Sequence, residues 1–171
     1  MSQRLAYILC FLLVSVILAT GAYLEYALGI MPCPLCTLQR IAFAITGILF
    51  FIGIFLYHKK LARMAINLTS MLFAGVGIFL AGRQIWIQYF PSPDNSECGV
   101  SINYMLTVLP ISDVAQKIFS GSTECSQRGW EFLWLNIPEW SLLFFTAILI
   151  TSAVYLLQEF KCCKRNRFNL R

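Results

Sequence analysis

Apolar positions in this chain are gathered into four long blocks instead of being spread at a helical or strand period. Residues 5–24, 37–57, 64–83 and 140–158 each approach the roughly 20 apolar residues that cross a bilayer. Within them, 5–24, 41–57, 64–82 and 140–158 contain no charged residue. Lipid offers backbone N–H and C=O groups no partner, so each block is expected to be a helix that satisfies its own. The predicted fold is all-α: one membrane domain, 1–171, built as a bundle of four transmembrane helices. Loops on one side fall near residues 25–36 and 84–139.

Composition agrees with that pattern. Hydrophobic residues make up 58% of the chain and charged residues 12%, against about 25% charged in an ordinary soluble domain. The mean hydropathy is +0.71. A water-soluble fold of this size has too little interior to hide so much apolar surface.

Basic residues orient the bundle. Arg4, Lys59, Lys60, Arg63, Lys161, Lys164, Arg165, Arg167 and Arg171 fall on one side, nine of the 13 Lys and Arg. Arg40, Arg83, Lys117 and Arg128 fall on the other. Both termini and the "HKKLAR" turn are therefore expected in the cytoplasm, with the two remaining loops outside. Trp86, Trp130, Trp134 and Trp140 all lie in or beside the second outer loop, as an interfacial aromatic belt requires. The first apolar run is long for a signal-peptide core and is read as a span, not a cleaved leader. The net charge of +5 is this positive-inside signal together with a basic tail suited to anionic lipid. It gives no reason to invoke nucleic acid.

The topology sorts the seven cysteines. Cys10 lies inside the first span, and Cys162 and Cys163 lie in the cytoplasmic tail, where reduced thiols are expected. Cys33, Cys36, Cys98 and Cys125 all fall on the outer side, a compartment that permits disulfides. Zinc would call for two tight cysteine pairs, and Cys98 and Cys125 are widely spaced, so no metal is assigned. A thioredoxin domain would need a βαβ context that is missing from the pattern. A purely structural use of the cysteines remains open at this point.

"MPCPLCTLQR", residues 31–40, argues for reactivity. Pro34 suits the first position of a helix, which would place Cys33 at the N-cap and Cys36 in the first turn. The positive end of a helix stabilises thiolates. Arg40 follows Cys36 by four residues, one helical turn away. A disulfide closing so short a loop would also be a weak staple. In the second outer loop, "YFPSPDNSECG" is turn-rich. "ISDVAQKIF" gathers Ile111, Val114, Ala115, Ile118 and Phe119 on one face, predicting a short amphipathic helix at the membrane surface.

"PCPLCTLQR", "FPSPDNSEC", "LP" at Leu109 and Pro110, and "FSGSTECSQRGWEFLWLNIPEW" occur in this order around the four spans. In these stretches the chain resembles the bacterial disulfide bond formation protein B family (DsbB), over essentially its whole length. The resemblance implies a thiol oxidase of the bacterial inner membrane, with its active loops on the periplasmic side. It would take electrons from a soluble DsbA-like thioredoxin-fold partner and deliver them to a membrane quinone, ubiquinone or menaquinone. Carried over residue by residue, Cys33 and Cys36 match the membrane-proximal redox pair, Cys98 and Cys125 match the loop disulfide, and Arg40 matches the arginine that supports the quinone site. In one respect the chain departs from the pattern. Well-known members have a histidine near the outer end of the third span, whereas the only histidine here is His58 in the cytoplasmic turn. Arg83, Gln84 and Gln88 occupy the matching neighbourhood, and neutral Gln84 and Gln88 are the candidates to hydrogen-bond a quinone carbonyl. Glu25, near the outer end of the first span, either shuttles protons or marks the interface, and the interface reading is favoured.

Two other readings compete. One is a non-enzymatic four-span protein whose outer loops are held by static disulfides. The other is an enzyme like vitamin K epoxide reductase, with the electron flow reversed.

Overall fold

The computed structural model of the chain describes residues 3–27, 29, 33–90 and 131–168, with 131–132 and 162–168 described by backbone alone. Among the described residues four helices dominate: α1 (Gln3–Tyr26), α2 (Pro34–Leu56), α3 (Lys60–Tyr89) and α4 (Ile137–Phe168). All four are long and apolar enough to cross a membrane. A two-residue-per-strand hairpin, β1 (Glu131–Phe132) and β2 (Leu135–Asn136), immediately precedes α4. Cys98, Cys125 and the amphipathic helix expected over 111–119 lie outside the described residues.

The helices run past the apolar blocks that define them. α3 starts at Lys60 and continues through Arg83 to Tyr89, and α4 continues through the charged stretch after Gln158. Hydrocarbon limits the length of an apolar run, but not of a helix. At about 1.5 Å per residue, the 30 residues of α3 span about 45 Å, well beyond a hydrocarbon core of about 30 Å. Its outer turns therefore stand at the membrane boundary and can carry polar side chains.

α4 packs along α3, α3 along α2, and α2 along α1. Because lipid is as apolar as leucine, such packing rests on close fit and polar contacts, not on release of water. At Gly77 an added Cβ would lie 2.4 Å from the Phe145 ring, so glycine is what lets α4 come this close. That ring stacks in turn on Phe43 of α2, with centroids 3.8 Å apart and planes 11° from parallel. Fourteen residues from Gly77 and from Phe145, Arg63 pairs with Glu159 at 2.8 Å, so one antiparallel register explains both contacts.

The Arg63–Glu159 pair anchors one end of the bundle. Gln3 donates to Glu159 at 2.9 Å, and Arg63 also donates to the Tyr57 carbonyl at 3.0 Å. The guanidinium of Arg4 lies over the Tyr57 ring, 5.4 Å from its centroid. The start of α1, the α2–α3 turn and the last turns of α4 are thus tied together. At the opposite end lie the end of α1, the start of α2, the end of α3 and the start of α4. There the Asn136 N–H donates to Glu139 Oε2 at 2.8 Å, which is half of a capping box opening α4. Tyr89 donates to the other oxygen of Glu139 at 3.3 Å, joining α3 to that cap.

Candidate redox site

The thiol pair is built by the way α2 begins. Pro34 occupies the first turn, and Cys33 is the N-cap, with φ −67° and ψ 161°. Its sulfur accepts the backbone N–H of Cys36 at 3.4 Å. Its carbonyl accepts from the backbone and hydroxyl of Thr37, at 3.1 Å and 3.3 Å. Cys33 is buried and Cys36 half-buried, and their sulfurs lie 3.1 Å apart. Thiol chemistry thus sits on the positive end of a transmembrane helix, where negative charge is stabilised.

The neighbours of the pair are mostly apolar. Leu35, Leu80 and Ile87 pack around Cys33, with Leu38 and Cys36 at the margin. Two amides interrupt this lining. Gln84 of α3 is 3% exposed and brings its Nε2 to 3.1 Å from the Cys36 sulfur and 3.5 Å from the Cys33 sulfur. Gln39 of α2 is 2% exposed and donates its own Nε2 to Gln84 Oε1 at 2.8 Å.

Arg40 takes a different direction. Its guanidinium is ion-paired to Glu25 of α1 and donates to the Gly21 carbonyl at 2.8 Å. A Cβ at Gly21 would lie 3.1 Å from Arg40 Nε, so the glycine leaves the space in which this side chain lies. The Arg40 side chain is 32% exposed, which leaves part of its five-donor fork open. Glu25, read from the sequence as an interface marker or a proton shuttle, is the carboxylate that holds Arg40.

The structure therefore gathers Cys33, Cys36 and Gln84 at one point, with Arg40 one turn beyond on the α1 side. Gln88 lies one turn further along α3 than Gln84, and its Oε1 is buried with no partner among the described residues. Gln39 went unnoticed in the sequence. The available signal was a polar residue three positions after Cys36, in a run otherwise entering the membrane.

The surroundings suit a lipid-soluble electron acceptor with carbonyl oxygens. Such a group would need an apolar bed and N–H donors, and the leucines, Ile87, the open part of Arg40 and the Gln84 amide supply both. Among the described residues no cluster of His, Cys, Asp or Glu could hold a metal.

The profile of the family described as "Disulfide bond formation protein DsbB" matches residues 3–155. Disulfide bond formation protein B of Marinobacter nauticus is 34% identical over 160 residues, covering 94% of this chain and 95% of its own. Its counterpart in Stutzerimonas stutzeri is 33% identical over 158 residues, covering 92% and 97%. Disulfide bond formation protein B 1 of Pseudomonas aeruginosa is 35% identical over 158 residues, covering 92% and 97%. With a thiol pair capping its second helix and four apolar helices around it, the chain belongs to the DsbB family of disulfide bond formation proteins.

Proposed function

We propose that the protein is a quinone-dependent protein-thiol oxidase that reoxidises a periplasmic DsbA-like dithiol protein. The observation that carries this reading is the Cys33–Cys36 pair, placed at the mouth of a transmembrane helix with an amide donor on its sulfurs. A pair so placed can face a soluble protein on one side and the lipid phase on the other.

The chain's own steps follow from thiol–disulfide exchange. A thiolate of the reduced partner attacks Cys98 in a Cys98–Cys125 disulfide, forming a mixed disulfide and releasing Cys125 as thiolate. Cys125 attacks Cys33 in the oxidised Cys33–Cys36 pair and releases Cys36 as thiolate. The partner's second thiolate then attacks its own mixed-disulfide sulfur, leaving as oxidised protein and freeing Cys98. Cys98 attacks Cys125 in the Cys125–Cys33 bond, which restores the loop disulfide and leaves Cys33 and Cys36 reduced. Two electrons and two protons have moved from the partner to this pair.

Bound quinone would supply the acceptor for those electrons and protons, becoming hydroquinone as the pair reoxidises. Arg40, Gln84 and Gln88 are the residues that would hold it beside Cys36. The helix end and the Gln84 amide let Cys36 carry charge at the membrane boundary. Leu35, Leu80 and Ile87 cover Cys33, while Cys36 stays half-buried.

The test is quinone reduction by the purified protein in detergent, with a reduced DsbA-like protein as donor and short-chain ubiquinone or menaquinone as acceptor. Turnover is expected in the wild type and should be absent in Cys33→Ser and Cys36→Ser. Equal turnover in all three proteins overturns the assignment.

A further inference from the structure

We propose that Gln39 is a positioning residue that holds the amide of Gln84 with its N–H side toward the thiol pair, making Gln84 a hydrogen-bond donor to the Cys36 thiolate. The inference rests on the reading of Cys36 as the sulfur that carries negative charge.

A thiolate only accepts hydrogen bonds, whereas a glutamine amide has one end that donates and one that accepts. Gln84 helps Cys36 only if Nε2, not Oε1, faces the sulfur; the reverse would set a carbonyl dipole against the charge. The two orientations differ by a half-turn of the amide and occupy the same space, so shape does not choose between them. The group on the far side does. Gln39 Nε2 lies 2.8 Å from Gln84 Oε1, and both side chains are almost fully buried, so water is a poor substitute. With Leu35, Leu80 and Ile87 around the pair, leaving Oε1 unpaired would be costly. Gln39 N–H donates to the Gln84 carbonyl at 2.8 Å, and Gln84 Nε2 is the amide atom nearer the Cys36 sulfur, at 3.1 Å. Gln84 Oε1 stands 3.5 Å from the same sulfur and accepts from its thiol, a contact that disappears when the thiol ionises, so only the Nε2 bond serves the thiolate.

Placement reinforces the point. Gln39 follows Cys36 by three residues on the same helix, so its distance from the thiol is fixed by α2. Gln84 comes from α3, 45 residues further along the chain. Gln39 thus aligns a side chain from one helix with a sulfur on its own. Once Cys36 is charged, the hydrogen bond to it is worth more than its neutral counterpart, so the amide pair acts mainly on the thiolate form.

The experiment is the rate of iodoacetamide alkylation at Cys36 against pH, read by mass spectrometry on the reduced full-length protein in detergent. It needs neither quinone nor partner, so it can fail while the oxidase assay succeeds, and the reverse. Gln39→Met and Gln84→Met preserve length and bulk but remove the donors. Each is expected to move the pH of half-maximal alkylation upward by about one unit, a roughly tenfold slowing at neutral pH. The double variant should match Gln84→Met alone, because Gln39 acts through Gln84. An unmoved profile in Gln39→Met, or a double variant showing the sum of both shifts, overturns the proposal. Should Gln39→Met fail to insert, Gln84→Met still decides, since an unmoved profile there removes the donor on which everything else depends.

Discussion

Arg40, one turn beyond Cys36 on α2, is held from the neighbouring helix by Glu25. The guanidinium is therefore a placed charge, and its side chain stays 32% exposed. Gly21 contributes by lacking a side chain.

Removing the charge should weaken the hold on quinone more than on the protein partner. Arg40→Met is expected to raise the KM for quinone about tenfold, the equivalent of one charge-assisted hydrogen bond, with a smaller change in the KM for the reduced partner. Arg40→Lys should recover part of the loss, restoring a point charge but not the planar fork. Gly21→Val should shift KM in the same direction by crowding Arg40 Nε. Steady-state kinetics at matched protein levels checks all three. A methionine variant with wild-type quinone KM removes Arg40 from the site.

The two cysteine pairs should fail differently. Cys33→Ser with Cys98 and Cys125 intact should still trap the partner as a mixed disulfide, yet not turn over, whereas Cys98→Ser should abolish trapping. Non-reducing gels of the protein mixed with reduced partner separate these outcomes. Replacing Cys10, Cys162 and Cys163 together should leave turnover nearly unchanged.

The far end of the bundle should show the asymmetry of a buried ion pair. Arg63→Leu leaves Glu159, 7% exposed, without its guanidinium partner, and is expected to cost about 3–5 kcal/mol. Arg63→Leu combined with Glu159→Leu should cost clearly less than Arg63→Leu alone, because no stranded charge remains. Equilibrium unfolding in mixed detergent micelles measures both. A double variant as unstable as the single would show that the pair contributes more than it costs to bury.

Glycine positions on α3 should differ sharply. Gly77→Ala places a methyl group 2.4 Å from the Phe145 ring and must push α4 or break the stack on Phe43. A loss of about 1–3 kcal/mol is expected, as for other overpacked interiors. Gly75→Ala points into open space and should be neutral or slightly stabilising. Thermal inactivation of the two variants side by side checks the contrast.

The four spans were plain in the sequence because a run of apolar residues without a charge admits few interpretations in lipid. The cap formed by Cys33 and Pro34 was legible for a similar reason: both residues state a local backbone preference. What stayed hidden depended on meetings between helices. Glu25 and Arg40 are 15 residues apart, and Gln39 and Gln84 are 45; no local pattern says that such side chains face each other. Helix ends were not legible either, since Arg83 and the charges after Gln158 mark the limit of the apolar run but do not stop a helix. The hairpin before α4 was equally obscure. Its turn residues, Leu133 and Trp134, both adopt positive φ, 51° and 66°, where Asn and Gly would be the usual signal.

That hairpin, with the end of α3, limits how far Cys98 and Cys125 can lie from the Cys33–Cys36 pair. Cys125 precedes Glu131 by six residues, and six residues reach at most about 22 Å even when fully extended. Cys98 follows Phe90, near the end of α3, by eight residues, or about 29 Å at most. Both thiols are thus leashed to the same end of the bundle that holds Cys33 and Cys36. Short leashes of this kind give effective concentrations on the order of millimolar. In the proposed relay, exchange between the two pairs would therefore be a first-order event, indifferent to how dilute the protein is in the membrane, and only the encounter with a soluble partner would depend on supply.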